Sequence, residues 1–157
     1  MKKMLFLFFL AITSFCPGCK KDEAKDPCAG FAWLTAPTVV KLTFIDKTTG
    51  ENILLAKNID ASKITITPQT DISGISTGKG YKDGVLAFHI EDYLKGEFKY
   101  SIKIDGVGTS TLAYTNEEKL LDNPCHPSTI IVHEPAITEY AYTTTRDGTW
   151  FIITVKI

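Results

Sequence analysis

The sequence predicts an all-β protein: a single antiparallel β-sandwich, immunoglobulin-like in size, with a small closed β-barrel as the alternative architecture. Three observations carry this. Apolar residues alternate with polar ones at a period of two through most of the chain beyond residue 38. Turn-forming clusters such as Asp46-Lys47-Thr48-Thr49-Gly50 and Asp147-Gly148 recur at short intervals. No stretch holds the 3.6-residue period of an amphipathic helix for more than about a turn.

In chain order, Val39 to Ile45 alternates Val40, Leu42 and Phe44 against Lys41 and Thr43. Asp46 can cap the turn that follows, and Gly50 can take positive φ. Asn52 to Ala56 and Lys63 to Thr67 are short strand candidates, and Pro68 ends pairing. Thr70 to Gly84, rich in Gly, Ser, Asp and Thr, reads as the longest loop. Its Gly78 and Gly80 do not make a phosphate cradle, because the Gly-Lys-Ser/Thr ending and the following helix are missing. Val85 to Ile90 is a strand, and Glu91 to Gly96 connects it to the next. Glu97 to Asp105 has the cleanest alternation, and with Gly106-Val107-Gly108 and Thr109 to Tyr114 it forms a hairpin. Asn116 to Asn123 is one helical turn capped by Asn116, and Asn123-Pro124-Cys125-His126-Pro127 is rigid loop. Ser128 to Glu134 and Ile137 to Thr144 are strands separated by Pro135, and Thr149 to Ile157 is the last, giving about nine. A two-residue Asp147-Gly148 loop would set Thr144 opposite Phe151, Tyr142 opposite Ile153 and Tyr140 opposite Val155. Trp150 and Ile152 then fall on the less apolar face.

The chain begins differently. Met1-Lys2-Lys3 is basic, Met4 to Ile12 is an apolar run, and Cys16-Pro17-Gly18-Cys19 breaks it. These are the parts of an export signal, with an apolar run too short for the roughly 20 residues that span a bilayer. Gly18-Cys19 followed by Lys20-Lys21-Asp22-Glu23 resembles a bacterial lipoprotein signal and the mature start of Bacteroidetes-type lipoproteins. The resemblance implies removal of residues 1–18, acylation of Cys19 and attachment to the outer membrane through that lipid, with more than one acyl chain for firm anchoring. Lys20 to Pro27 is a charged tether, so residues 19–27 join the lipid to a domain over residues 28–157. The order from Asp46-Lys47-Thr48-Thr49-Gly50-Glu51-Asn52 to a late cysteine before terminal strands is similar to small lipoproteins of that group, and implies fold and address but no reaction.

Composition excludes several classes. The 17 basic residues are balanced by 18 acidic ones, and Arg146 is the one arginine. Loss of Lys2 and Lys3 with the signal leaves 15 against 18, a net charge of −3. With no basic face and almost no arginine, nucleic acid is not an expected partner. Of the four cysteines, Cys28 and Cys125 remain as a pair once Cys16 is removed and Cys19 is acylated. An oxidising compartment favours a disulfide between them, with two free thiols or a metal site as alternatives.

No cofactor motif is present, and no catalytic set is expected. Cys125, His126, His133 and Glu134 do not follow zinc spacing, and His89 and His133 in strands read as partly buried imidazoles. The acids Asp71, Asp83, Asp92, Glu117 and Glu118 lack the spacing of a calcium loop. No serine stands in a Gly-x-Ser-x-Gly elbow. Binding is the remaining class, with Trp33, Tyr81, Tyr93 and Trp150 as aromatic candidates for a ligand face. The expectation is a lipid-anchored, non-catalytic binding module for a protein or glycan, with an assembly accessory of an outer-membrane complex as alternative and a small enzyme behind both. A ligand-binding module would bring two or more exposed loop aromatics together at one end.

Overall fold

The computed structural model describes residues 28–29, 36–70 and 78–157. Cys19, Trp33, the signal and the tether lie outside the described residues. The chain divides into two units, Met1–Phe31 and Ala32–Ile157. Cys28 and Cys125 are joined in a disulfide.

The second unit is an all-β sandwich, with ten strands among the described residues. These are β1 (Val39–Ile45), β2 (Ile64–Pro68), β3 (Lys79–Lys82), β4 (Val85–His89), β5 (Gly96–Ile104), β6 (Gly108–Leu120), β7 (Ser128–Val132), β8 (Ala136–Ile137), β9 (Ala141–Asp147) and β10 (Trp150–Lys156). One five-stranded sheet has the order β3-β4-β1-β10-β9. The other runs β2-β5-β6-β7, with β8 also pairing to β6. All pairs are antiparallel except β1 with β10, which run parallel from Val39↔Trp150 to Ile45↔Lys156.

The alternation places Val40, Leu42 and Phe44 of β1 and Phe151, Ile153 and Val155 of β10 inward. They meet Phe98, Tyr100, Ile102 and Ile104 of β5 and Leu112 and Tyr114 of β6 in one core. Each such side chain contributes about 1.5–3 kcal/mol on full burial. Tyr100 and Tyr114 stack at 6.2 Å, and their hydroxyls meet the Glu91 backbone: Glu91 N–H donates to Tyr100 Oη and Tyr114 Oη donates to Glu91 O. Burial raises the pKa of both phenols above the usual tyrosine range. One long basic side chain ties the sheets on each side. Lys79 Nζ of β3 donates to the carbonyls of Ala61 and Ile64 beside and within β2. Arg146 Nη1 of β9 donates to Val132 O of β7 at 3.4 Å.

Local chemistry explains the turns. Asp46 Oδ1 accepts from the backbone N–H of Thr48 (2.7 Å) and Thr49 (2.9 Å), and Gly50 takes φ +75°. Those backbone bonds, from Thr49 first and then Thr48, hold the Asp46 carboxyl below the usual carboxylate range.

Several expectations are corrected. Asn52 to Ala56 is not a strand: Ile53–Ala56 forms a four-residue helix, α1. Asn52 Oδ1 caps it by accepting from Leu54 N and Leu55 N, so a short apolar run that fits either structure becomes a helical turn. Asn116 to Asn123 is not a helical turn. β6 runs on to Leu120, because pairing with β7 from Asn116↔Val132 to Leu120↔Ser128 overrides helix propensity. Lys79–Lys82 is strand, not loop; Asp83 (φ 51°) and Gly84 (φ 73°) make the β3–β4 turn with positive φ at both central positions, as type I′ requires. The Ile137 to Thr144 strand is interrupted at Thr138–Tyr140, where the chain leaves one sheet for the other; Glu139 takes the Thr111 N–H there at 2.6 Å. The last loop is Gly148-Thr149, with Phe151↔Arg146, Ile153↔Thr144 and Val155↔Tyr142. This shifts each partner by two residues and leaves every side chain on its expected face.

Candidate functional site

The outward face of the five-stranded sheet carries three cross-strand rows around a recess, with a fourth, Ile45, Lys156 and Ala141, beyond them. Gly80, Ala87, Lys41, Ile152 and Thr145 form the middle row by register. Lys82, Val85, Thr43, Thr154 and Thr143 form the row on one side. On the other side lie His89, Val39, Trp150 and Asp147. Because neighbours alternate faces, the inward partners of these residues are the core and these side chains must point out.

A shallow groove of about 620 Å³ runs over this face. Its floor is low because Gly80, Ala87 and Thr43 are small, and Lys82, Lys41 and Ile152 rise around it. Ile152 is 37% exposed and Trp150 beside it 42%. Lys41 Nζ sits 3.4 Å from the Trp150 ring centroid, a cation–π contact worth about 0.5–1 kcal/mol at an exposed site. That contact fixes the indole and the ammonium together at the groove margin. Lys82 makes no ion pair among the described residues.

The candidate aromatics separate. Trp150 is exposed on the outward face, as its hairpin parity required. Tyr93 is 67% exposed in the β4–β5 connection. Thr38 N–H donates to Asp92 Oδ2 at 2.6 Å, which puts this connection at the end of the sheet where β1 and β10 begin. Tyr81 is not an exposed loop residue. It pairs with core residue Leu86, so its ring turns inward at the edge and packs on the core while also lining the groove. Burial first, and the Asp60 charge second, raise its pKa above the usual tyrosine range. Trp33 lies outside the described residues. Among the described residues, Trp150 and Tyr93 are the exposed candidates, but Tyr93 lines a cleft beside β7 while Trp150 stands on the outward face of the five-stranded sheet, so the two are not brought together.

A second cleft, of about 490 Å³, lies beside β7 and is lined by Asp92, Tyr93, Glu118, His126 and Arg146. Two of its charges serve the fold. Asp92 holds Thr38, and Arg146 donates to Gly148 O and Val132 O while its guanidinium lies 4.8 Å from the Phe151 ring. Cys125 is oxidised and so is not a thiolate ligand. Among the described residues no three His, Cys, Asp or Glu side chains gather as a metal site. His133 and His89 are exposed, contrary to the partly buried expectation, and His133 Nε2 lies 3.2 Å from Glu117 Oε2.

Sequence reasoning missed Lys41, Lys82, Thr43 and Ala87 as site residues. The alternation of β1 was readable, but their meeting with β3 and β10 depends on non-local pairing. No known family, no curated protein and no solved structure matches the chain.

Proposed function

We infer that the chain is a lipid-anchored envelope protein acting as a non-catalytic binding module for a protein or glycan partner. The observation that carries this is the outward sheet face, where exposed Trp150 and Ile152 flank a groove with a floor of small side chains. Aromatic and aliphatic side chains held rigidly beside a recess, with polar groups around them, are what a binding surface needs. The anchor rests on Cys19, and the tether of residues 19–27 leaves the domain room to reach a partner.

Two measurements test this reading. Benzoylphenylalanine in place of Thr43 should crosslink a partner in living cells, whereas the same group in place of Glu97, on the outward face of the other sheet, should not. No adduct at Thr43 overturns the binding-module reading. Cys19→Ala should move the protein out of the membrane fraction, and continued membrane attachment overturns the anchor. Protease shaving of intact cells carrying a C-terminal tag then assigns the domain to the surface if the tag is lost, and to the periplasm if it is kept.

One observation favours an assembly accessory as the second reading. β9 pairs only with β10 among the described strands, so one edge of a seven-residue strand with no proline or lysine is open to another strand. Adducts from Thr145 rather than Thr43 would place that reading first.

A further inference from the structure

We propose that the groove on the outward sheet face takes an anionic polysaccharide, laid along the recess between Lys82 and the Lys41–Trp150 pair. This rests on the binding-module reading and names the ligand class for it. Charge is the first argument. The chain as a whole carries 17 basic and 18 acidic residues, yet the strand residues pointing out from this face include Lys41, Lys82 and Lys156 against Asp147 alone. Asp83 joins the groove rim from the β3–β4 turn, so the excess remains positive. Amines around a recess select a chain bearing carboxylates over a neutral one.

Shape is the second argument. The surface is a trough, not a protrusion: Gly80, Ala87 and Thr43 recess the floor below Lys82 on one side and Ile152 on the other. A linear chain can lie in a trough, whereas a flat bilayer surface would touch only its rims. The groove also has an apolar margin. Ile152 and Trp150 offer apolar surface to the C–H faces of sugar rings, and Thr43 supplies a hydroxyl beside them. Lys41 is held over the indole, so its charge is already positioned and little side-chain freedom is lost on binding.

The test titrates the purified lipidated protein in detergent calorimetrically with polygalacturonate and with dextran, and titrates the unacylated Cys19→Ala form in detergent-free buffer with vesicles containing phosphatidylglycerol, so that the anchor itself cannot bind them. Polygalacturonate should bind, dextran should not, and raising NaCl to 0.5 M should weaken binding. Lys82→Gln and Lys41→Gln should each weaken it about 2–5-fold, the range of a solvent-exposed ion contact. Trp150→Ala should weaken it about 2–5-fold, the value of the exposed cation–π contact that holds Lys41 in place at the groove margin. Lys99→Gln, on the outward face of the other sheet, should leave it unchanged and serves as control for general charge. Binding of dextran as strongly as polygalacturonate overturns the anionic class while the binding-module reading stands. Binding of vesicles alone makes this face a membrane contact and overturns the proposal. No binding to any probe, or binding indifferent to Lys41, Lys82 and Trp150, also overturns it, and only absence of the Thr43 adduct in cells would carry the broader reading down with it.

Discussion

Asn116 shows how one polar residue can decide a local structure. It is 3% exposed on the inward side of β6, and its Nδ2 donates to Glu91 O and Leu94 O, each at 2.9 Å. Tyr114 Oη also donates to Glu91 O, and the Glu91 carboxylate takes the N–H groups of Tyr93 and Leu94. The loop carrying Tyr93 is thus fixed from below by β6. Asn116→Asp replaces the donor with an oxygen facing two carbonyls, and should lower stability by about 1–3 kcal/mol in urea unfolding followed by circular dichroism. Asn116→Ala should cost less, because it adds no buried charge. The sequence suggests a cap at this residue, and a cap and a loop clamp use the same amide. Nothing local distinguishes them, since the acceptors lie more than 20 residues away in sequence.

At the scale of elements, strands were readable where one face alone is buried. β1 and β5 alternate cleanly, and their limits follow the pattern. Where turn residues sit inside a strand, composition misleads: Gly80 in β3 reads as loop, although the Asp83-Gly84 dipeptide behind it is a hairpin signal. Trp150 could be put on the outward face from parity, but Tyr81 could not be turned inward without knowing that it pairs with Leu86. The β1–α1 turn gives a prediction at this scale. The Asp46 carboxyl has a depressed pKa because two backbone N–H groups bind its charged form. Its contribution to stability is complete above the ordinary carboxylate value, about pH 4, and is lost as pH falls through the depressed one. Asp46→Asn should therefore flatten the acid limb of a plot of Tm against pH and leave the shape above pH 6 unchanged.

At the scale of the whole molecule, the disulfide and the two basic clips act at different places. Lys79 and Arg146 hold the two sheets along their sides through carbonyl contacts. The Cys28–Cys125 bond closes a loop of about 100 residues, and in the chain-entropy model it stabilises by up to about 4–5 kcal/mol through the unfolded state. Dithiothreitol should lower the urea midpoint accordingly, and the double variant Cys28→Ser, Cys125→Ser should match the reduced protein. An unchanged midpoint would mean that the unfolded chain is already constrained.

The parallel pairing of β1 with β10 sets an order of events. Both strands stand in the interior of the five-stranded sheet, flanked by β4 on one side and β9 on the other. A chain emerging from its N-terminus can form the β5–β6 hairpin early, since those partners are near in sequence. It cannot complete the other sheet until Trp150 reaches Val39. Until that moment β4 and β1 present an unfinished edge, and the β9–β10 hairpin has no sheet to join. Loss of the last strand would remove the middle of the sheet rather than its margin, and with it the face that carries Trp150.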